Sequence, residues 1–235
     1  MPRDPLADFP TTHATFLTAC LEDASGRALE EARNHLMARY RAPLVAYAAR
    51  SRLSALEEPD ELVHGFFAAK LAERAFLDSW RRSSLPLRRW MLNGLVFHAR
   101  GVARDRGRER DRRDAAVRPD SQPVEGPDAE RVFERAWALA LVEAACRAAR
   151  AELEAEGRAD AYEVFHRHHF DGVALAALAA GRGTSETAIA SAIRLAVRRV
   201  RAEAESMLRD EIGTADPAVL ATELERVRDL TGWSA

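Results

Sequence analysis

The stretch LAALAAGRGTSETAIASAIR, residues 175–194, decides the fold. It fits a twenty-residue frame of two short helices joined by a turn. Ala179 stands where the helices approach most closely, Gly183 lies in the turn, and Ile189 pins the second helix to the first. Each choice has a physical reason. A small residue permits a tight crossing, glycine accepts the positive φ of the turn, and a β-branched apolar residue fills the wedge between helices. The second helix opens at Thr184 or Ser185, whose hydroxyls suit a helix N-cap. A helix so placed enters the major groove of DNA and presents Ser185, Glu186, Thr187, Ala190, Ser191 and Arg194 to base edges or phosphates, with Arg198 and Arg199 further along. Ala-rich helical hairpins with no DNA role also satisfy this frame, so its context has to decide.

Outward from this stretch, apolar residues recur at helical spacing nearly everywhere. Leu29, Leu36, Met37, Tyr40, Leu44 and Tyr47 form one block and Leu62, Val63, Phe66, Phe67 and Leu71 the next. Phe133, Trp137, Leu141 and Ala144 mark a long helix, and Ile193, Val197, Val200, Ala204 and Leu208 continue the one begun at Ile189. No alternating strand pattern competes, and the chain reads as all-α. Pro43 predicts a kink or break in the first block, and Asp60 after Pro59 reads as a cap. Residues 114–130 carry Pro119, Pro123, Gly126 and Pro127 with five acids against Arg118, an acidic linker between two helical domains. The organisation expected is an N-terminal segment (1–28), a helical bundle (29–113), the linker (114–130), a helix-turn-helix domain (131–212) and an amphipathic tail (213–235).

Charge is segregated behind a formal net of −2 over 235 residues. Arg81–Arg113 holds eleven arginines against three acids, a local +8 that points to a polyanion. Arg100, Arg104, Arg108 and Arg112 recur every four residues as one stripe suited to phosphates, because guanidinium forks match phosphate oxygens. Solvated helix faces would give similar runs. Two basic blocks on either side of the linker favour two DNA-contacting modules. Lys70 is the single lysine beside thirty-four arginines, a bias that genomic base composition also produces.

Several classes are excluded or disfavoured. No apolar run of about eighteen residues occurs, and the start lacks a basic-then-apolar leader, so a cytoplasmic protein without membrane insertion is expected. Cys20 and Cys146 have no metal or disulfide spacing and read as buried, reduced thiols. His166, His168 and His169 raise metal binding as a rival reading, but only His166 and His169 share a helix face and no further ligand stands at the usual spacing. No nucleophile–base order, P-loop or dinucleotide turn is present, so neither catalysis nor a cofactor is expected.

In order along the chain, Phe9-Pro10-Thr11-Thr12-His13, Arg39-Tyr40-Arg41-Ala42-Pro43-Leu44, Pro59-Asp60-Glu61-Leu62-Val63-His64-Gly65-Phe66-Phe67, Leu87-Arg88-Arg89-Trp90-Met91-Leu92, Glu134-Arg135-Ala136-Trp137 and the helix-turn-helix make up six motifs. Together the sequence resembles the bacterial extracytoplasmic-function sigma factors of the sigma-70 family, in particular a subgroup that starts with a Phe-Pro-Thr-Thr-His segment. The resemblance spans essentially the whole chain. It departs from the family's pattern at His64-Gly65, Gly101, Arg182, Ala190, Leu195 and Val197.

The resemblance implies core RNA polymerase and promoter DNA as partners, with an anti-sigma factor a further one. Asp60, Glu61, Leu62, Phe66 and Phe67 would dock on polymerase, the apolar residues giving area and the acids register. Arg88, Arg89, Trp90, Asn93, Phe97, His98, Arg100, Arg104 and Arg108 would melt and read the minus-ten element, since aromatic faces beside guanidinium groups capture unstacked bases. Trp90 and Phe97, seven residues apart, either both line the DNA side or both lie in the core. The helix-turn-helix would read the minus-thirty-five element, and the acidic linker would occupy the channel that later carries RNA. Two rivals share the fold or its absence of chemistry: a sigma-like regulator that binds DNA or polymerase without opening promoters, and a plain protein-interaction module. The acidic tail would pack on the second domain or cover its DNA surface.

Overall fold

The structure, a computed structural model, describes residues 26–83, 85–113, 127–212 and 216–232, and among them all regular structure is helical. The protein is all-α, as the apolar spacing predicts. Phe9–His13, Cys20, most of the acidic linker and Trp233 lie outside the described residues. No described helix is long and apolar enough to cross a membrane. Contacts divide the chain into two units, Met1–Ala140 with Asp210–Thr214 and Leu141–Arg209 with Ala215–Ala235.

The first unit begins with α1 (Gly26–Arg50), which runs on through Pro43. Of the kink or break expected there, the break does not occur. Tyr40, Leu44, Tyr47 and Ala48 are all fully buried on the two sides of the proline. Burying each large side chain yields roughly 1.5–3 kcal/mol, which together outweigh the proline's cost of about 3 kcal/mol. A 3-10 turn (Arg52–Ala55) leads to α2 (Pro59–Phe66). Its cap is Glu58, whose carboxylate accepts from the backbone N–H groups of Asp60 at 2.8 Å and Glu61 at 3.3 Å. Asp60 is therefore a first-turn residue, not the cap, because Pro59 takes the first helical position where no N–H is needed. A π-helical turn (Phe67–Leu71) follows, and the Arg33 guanidinium closes it by donating to the carbonyls of Leu71, at 2.6 Å, and Ala72.

Helices α3 (Arg74–Arg81) and α4 (Leu87–Arg113) complete the bundle around Phe66. The Phe66 ring lies 5.5 Å from Phe67, 5.8 Å from Phe76 and 6.2 Å from the His98 ring. Helix α5 (Pro127–Ala155) starts inside the stretch read as linker, so residues 127–130 are helical. Its first turns belong to the first unit because they bury Phe133, edge-on to Tyr47 at 6.5 Å, and Trp137. The contact boundary therefore falls after Ala140, inside α5, and not at the proline-rich stretch.

In the second unit the later turns of α5 pack with α6 (Ala159–His169), α7 (Leu175–Arg182), α8 (Glu186–Ile212) and α9 (Pro217–Thr231). Leu153, Val164, Phe165, Leu178, Ile189, Ala196 and Val200 are buried there. Cys146 is buried as a free thiol, and burial pushes its pKa up. The tail forms the amphipathic helix its spacing predicts. Asp216 caps α9 by accepting from the Ala218 N–H at 2.9 Å, and Leu220, Leu224 and Val227 are its buried stripe.

Candidate nucleic-acid interface

Helix α7 ends at Gly183, whose φ of 61° is the left-handed conformation the turn requires. The Thr184 N–H donates back to the Ala179 carbonyl at 3.1 Å, and the Gly183 N–H to Ala180 at 3.3 Å. These bonds satisfy carbonyls that the helix end would leave open. Ala179 and Ile189 are buried, as their positions predict. Of the two capping candidates the structure uses Ser185, whose hydroxyl accepts from the Ala188 N–H at 3.2 Å.

Along α8 the residues Glu186, Thr187, Ser191, Arg194 and Arg198 are exposed, and Ala190 is half-buried. Thr187, Ser191 and Arg194 share a face and are linked: Arg194 donates to the Ser191 hydroxyl at 2.8 Å, which donates to the Thr187 carbonyl at 2.8 Å. The guanidinium is thereby oriented before any ligand arrives. Arg199, also expected on the DNA face, is placed differently from these residues. It turns to α5, 2.5 Å from Glu156 and 3.8 Å from Glu152, because it lies on the helix flank next to the buried Val200 stripe. Arg182, unusual in such a turn, is held by Glu163 at 2.8 Å.

The second candidate surface lies on α4. Trp90, Asn93 and Phe97 line a cavity of about 530 Å³ together with Lys70, Glu73, Phe76, Ser79 and Leu85. Phe97 is 65% exposed, so it is not a core residue, and Trp90 is half-buried. Of the two sequence readings, the pair shares the open side. The Trp90 ring stands 5.6 Å from Phe76, and its indole N–H is buried with no hydrogen-bond partner among the described residues. The Arg100 guanidinium lies 5.6 Å from the Phe97 ring centre, and Arg104 is exposed one turn further on. The side chain of Arg108 lies outside the described residues.

Three expected members of this surface face elsewhere. Arg88, only 3% exposed, lies 4.5 Å over the Trp137 ring and 3.6 Å from Glu134. Arg89 pairs with Glu130 at 3.2 Å and with Glu134 at 3.7 Å. Both arginines sit in the first turn of α4, where the acidic start of α5 reaches them. His98 turns to Phe66 and Gly65, where a Cβ at position 65 would stand 3.3 Å from the imidazole. Burial holds its pKa below the ordinary value, with Glu57 opposing.

The face read as a docking surface is also rearranged. Leu62 and Phe66 are fully buried in the bundle core, and Phe67 is only 5% exposed. Their spacing is the stripe by which α2 packs on its own unit. Glu61 is exposed, and Asp60 is paired with Arg41 at 2.5 Å.

The three histidines of α6 have partners of other kinds: His166 stacks on Phe170 at 5.0 Å, the Nδ1 of His168 lies 2.8 Å from the Val173 carbonyl, and His169 lies 5.0 Å from the Phe165 ring. Among the described residues no three His, Cys, Asp or Glu side chains gather as metal ligands.

Sequence reasoning missed Phe76, Lys70 and Glu73 as cavity walls. The signal for Phe76 was its place on the short amphipathic helix α3, opposite Trp90. Glu211 was also missed: only 1% exposed, it accepts from the Tyr40 hydroxyl at 2.6 Å and the Arg88 N–H at 2.8 Å. No family model, curated protein or solved structure matches the chain.

Proposed function

We propose that this protein is a promoter-specificity subunit of bacterial RNA polymerase, an extracytoplasmic-function sigma factor working in the cytoplasm. The observation that carries the reading is the aromatic cavity on α4 with arginines beside it. A duplex-binding regulator needs a groove-reading helix, whereas strand opening also needs a place for an unstacked base, and stacking on the Trp90 and Phe97 rings supplies it. Arg100 and Arg104 hold the phosphates of the displaced strand. The helix-turn-helix adds duplex recognition through Glu186, Thr187, Ser191, Arg194 and Arg198.

Run-off transcription with core polymerase and a promoter library tests the proposal. Starts at defined sites that depend on this protein are the expected result; core binding without starts rejects promoter opening. A second reading, a sigma-like regulator that binds DNA without opening it, is favoured by one observation. The apolar residues that would seat polymerase, Leu62, Phe66 and Phe67, are occupied inside the bundle. Under that reading duplex binding survives in the helix-turn-helix and a pull-down with core polymerase is negative.

A further inference from the structure

We infer that Gly94 is the positioning residue that keeps the α4 cavity open to a planar ring; the inference rests on the base-capturing role proposed above. Gly94 is buried in the middle of α4, where glycine is otherwise a poor choice. A Cβ built there would meet the Phe76 Cζ at 2.8 Å and two Phe66 ring atoms at 2.9 and 3.0 Å. Both rings therefore rest directly on the α4 backbone. They differ in their freedom to move. Phe66 is fully buried, with Phe67, Phe76 and His98 around it. Phe76 is only half-buried and forms a wall of the cavity.

A methyl group at position 94 must press on both rings; Phe66 has only the packed core to yield into, whereas the room beside Phe76 is the cavity itself. The displaced ring would crowd Trp90, now 5.6 Å away, and take the place of the incoming ring. Glycine at this position fits the loss of helix propensity being offset by a pocket of usable depth. Gly101, in the same helix, has nothing among the described residues within 4 Å of a built Cβ and shows no such constraint.

The test is binding of fluorescent single-stranded dodecamers dA12, dC12 and dT12 to the full-length protein, followed by anisotropy across a salt series. Four variants are compared with the parent: Gly94→Ala, Gly101→Ala, Trp90→Ala and the double variant Gly94→Ala with Phe76→Leu. Gly94→Ala should weaken binding about tenfold at every salt concentration, the loss of one stacked base, while the slope of log affinity on log salt, which counts phosphates, stays at the parent value. Gly101→Ala should bind as the parent does. Shortening the wall with Phe76→Leu should restore at least half of the lost affinity on the logarithmic scale.

Unchanged binding by Gly94→Ala while Trp90→Ala loses affinity overturns the role of Gly94. So does a double variant that recovers nothing, or a Gly94→Ala protein whose salt slope collapses with its thermal unfolding transition. If Trp90→Ala itself binds all three strands as the parent does, the base-capturing role fails instead.

Discussion

The hydroxyl of Tyr40 donates to the carboxylate of Glu211 at 2.6 Å, across 171 residues of sequence, and both side chains are buried. Arg39 approaches the same carboxylate at 3.5 Å, and the Arg88 backbone N–H donates to it at 2.8 Å. A carboxylate taken out of water persists only when so many groups compensate it. Burial first, and then this carboxylate, push the Tyr40 pKa well above its ordinary value. Removing the carboxylate leaves the Arg39 charge and the Arg88 N–H facing each other without it. Glu211→Ala is therefore expected to cost roughly 3–5 kcal/mol, and Tyr40→Phe about 1–2 kcal/mol because Arg39 and the N–H remain. Urea denaturation followed by circular dichroism measures both.

Arg88 and Arg104 stand in one basic run and should behave oppositely. Arg88→Ala strips the guanidinium from the Trp137 face and leaves Glu134 buried without it, so it should lower stability by roughly 3 kcal/mol without changing the salt slope of DNA binding. Arg104→Ala should leave stability unchanged and reduce the slope by about one. Paired melting and salt-titration experiments separate the two, and a reversed pattern would place Arg88 on the DNA.

In the second unit, Gly183→Ala forces a side chain into the left-handed conformation at the helix-turn-helix corner. A loss of about 1 kcal/mol is expected, together with weaker duplex binding, because α8 is aimed by that corner. Arg194→Ala should weaken duplex binding with no loss of stability, and Arg199→Ala should do the converse. Thermal melts and duplex binding on the same preparations decide this.

The pH dependence of the first unit should carry the mark of His35. Burial, with Arg39 adding to it, lowers the imidazole pKa from 6.5 to about 4. The unfolded chain then binds the extra proton between those values, so the stabilisation is full above pH 6.5 and is lost as pH falls towards 4. The shift corresponds to roughly 3 kcal/mol. His35→Gln should flatten stability across that window in urea titrations at fixed pH steps.

Local pattern carried much of this molecule. The small, glycine and β-branched positions at Ala179, Gly183 and Ile189 act on neighbours within a few residues, so the helix-turn-helix was legible in the sequence. Trp90, Asn93 and Phe97 were legible as a set because i, i+3 and i+7 share a helix face. What stayed hidden depends on partners far along the chain. Nothing near Arg88, Arg89 or Tyr40 announces that Glu134, Glu130 and Glu211 will meet them. The apolar spacing of Leu62, Phe66 and Phe67 marks a buried stripe, yet it does not say whether the same chain or another protein covers it. At Pro43 the helix continues where a local signal allowed a break, held by the packing of Tyr40, Leu44 and Tyr47.

The wide turn of Phe67–Leu71 leaves Lys70 partly exposed at the cavity wall, 3.7 Å from Glu73, and no other lysine exists in the chain. Amine-selective reagents consequently have a single side-chain target here. Reductive methylation with isotope-labelled formaldehyde would install one spectroscopic beacon beside the hollow, without mutagenesis. Its resonance would report occupancy directly, ring currents from Trp90 and Phe76 shifting whenever an aromatic guest slides in.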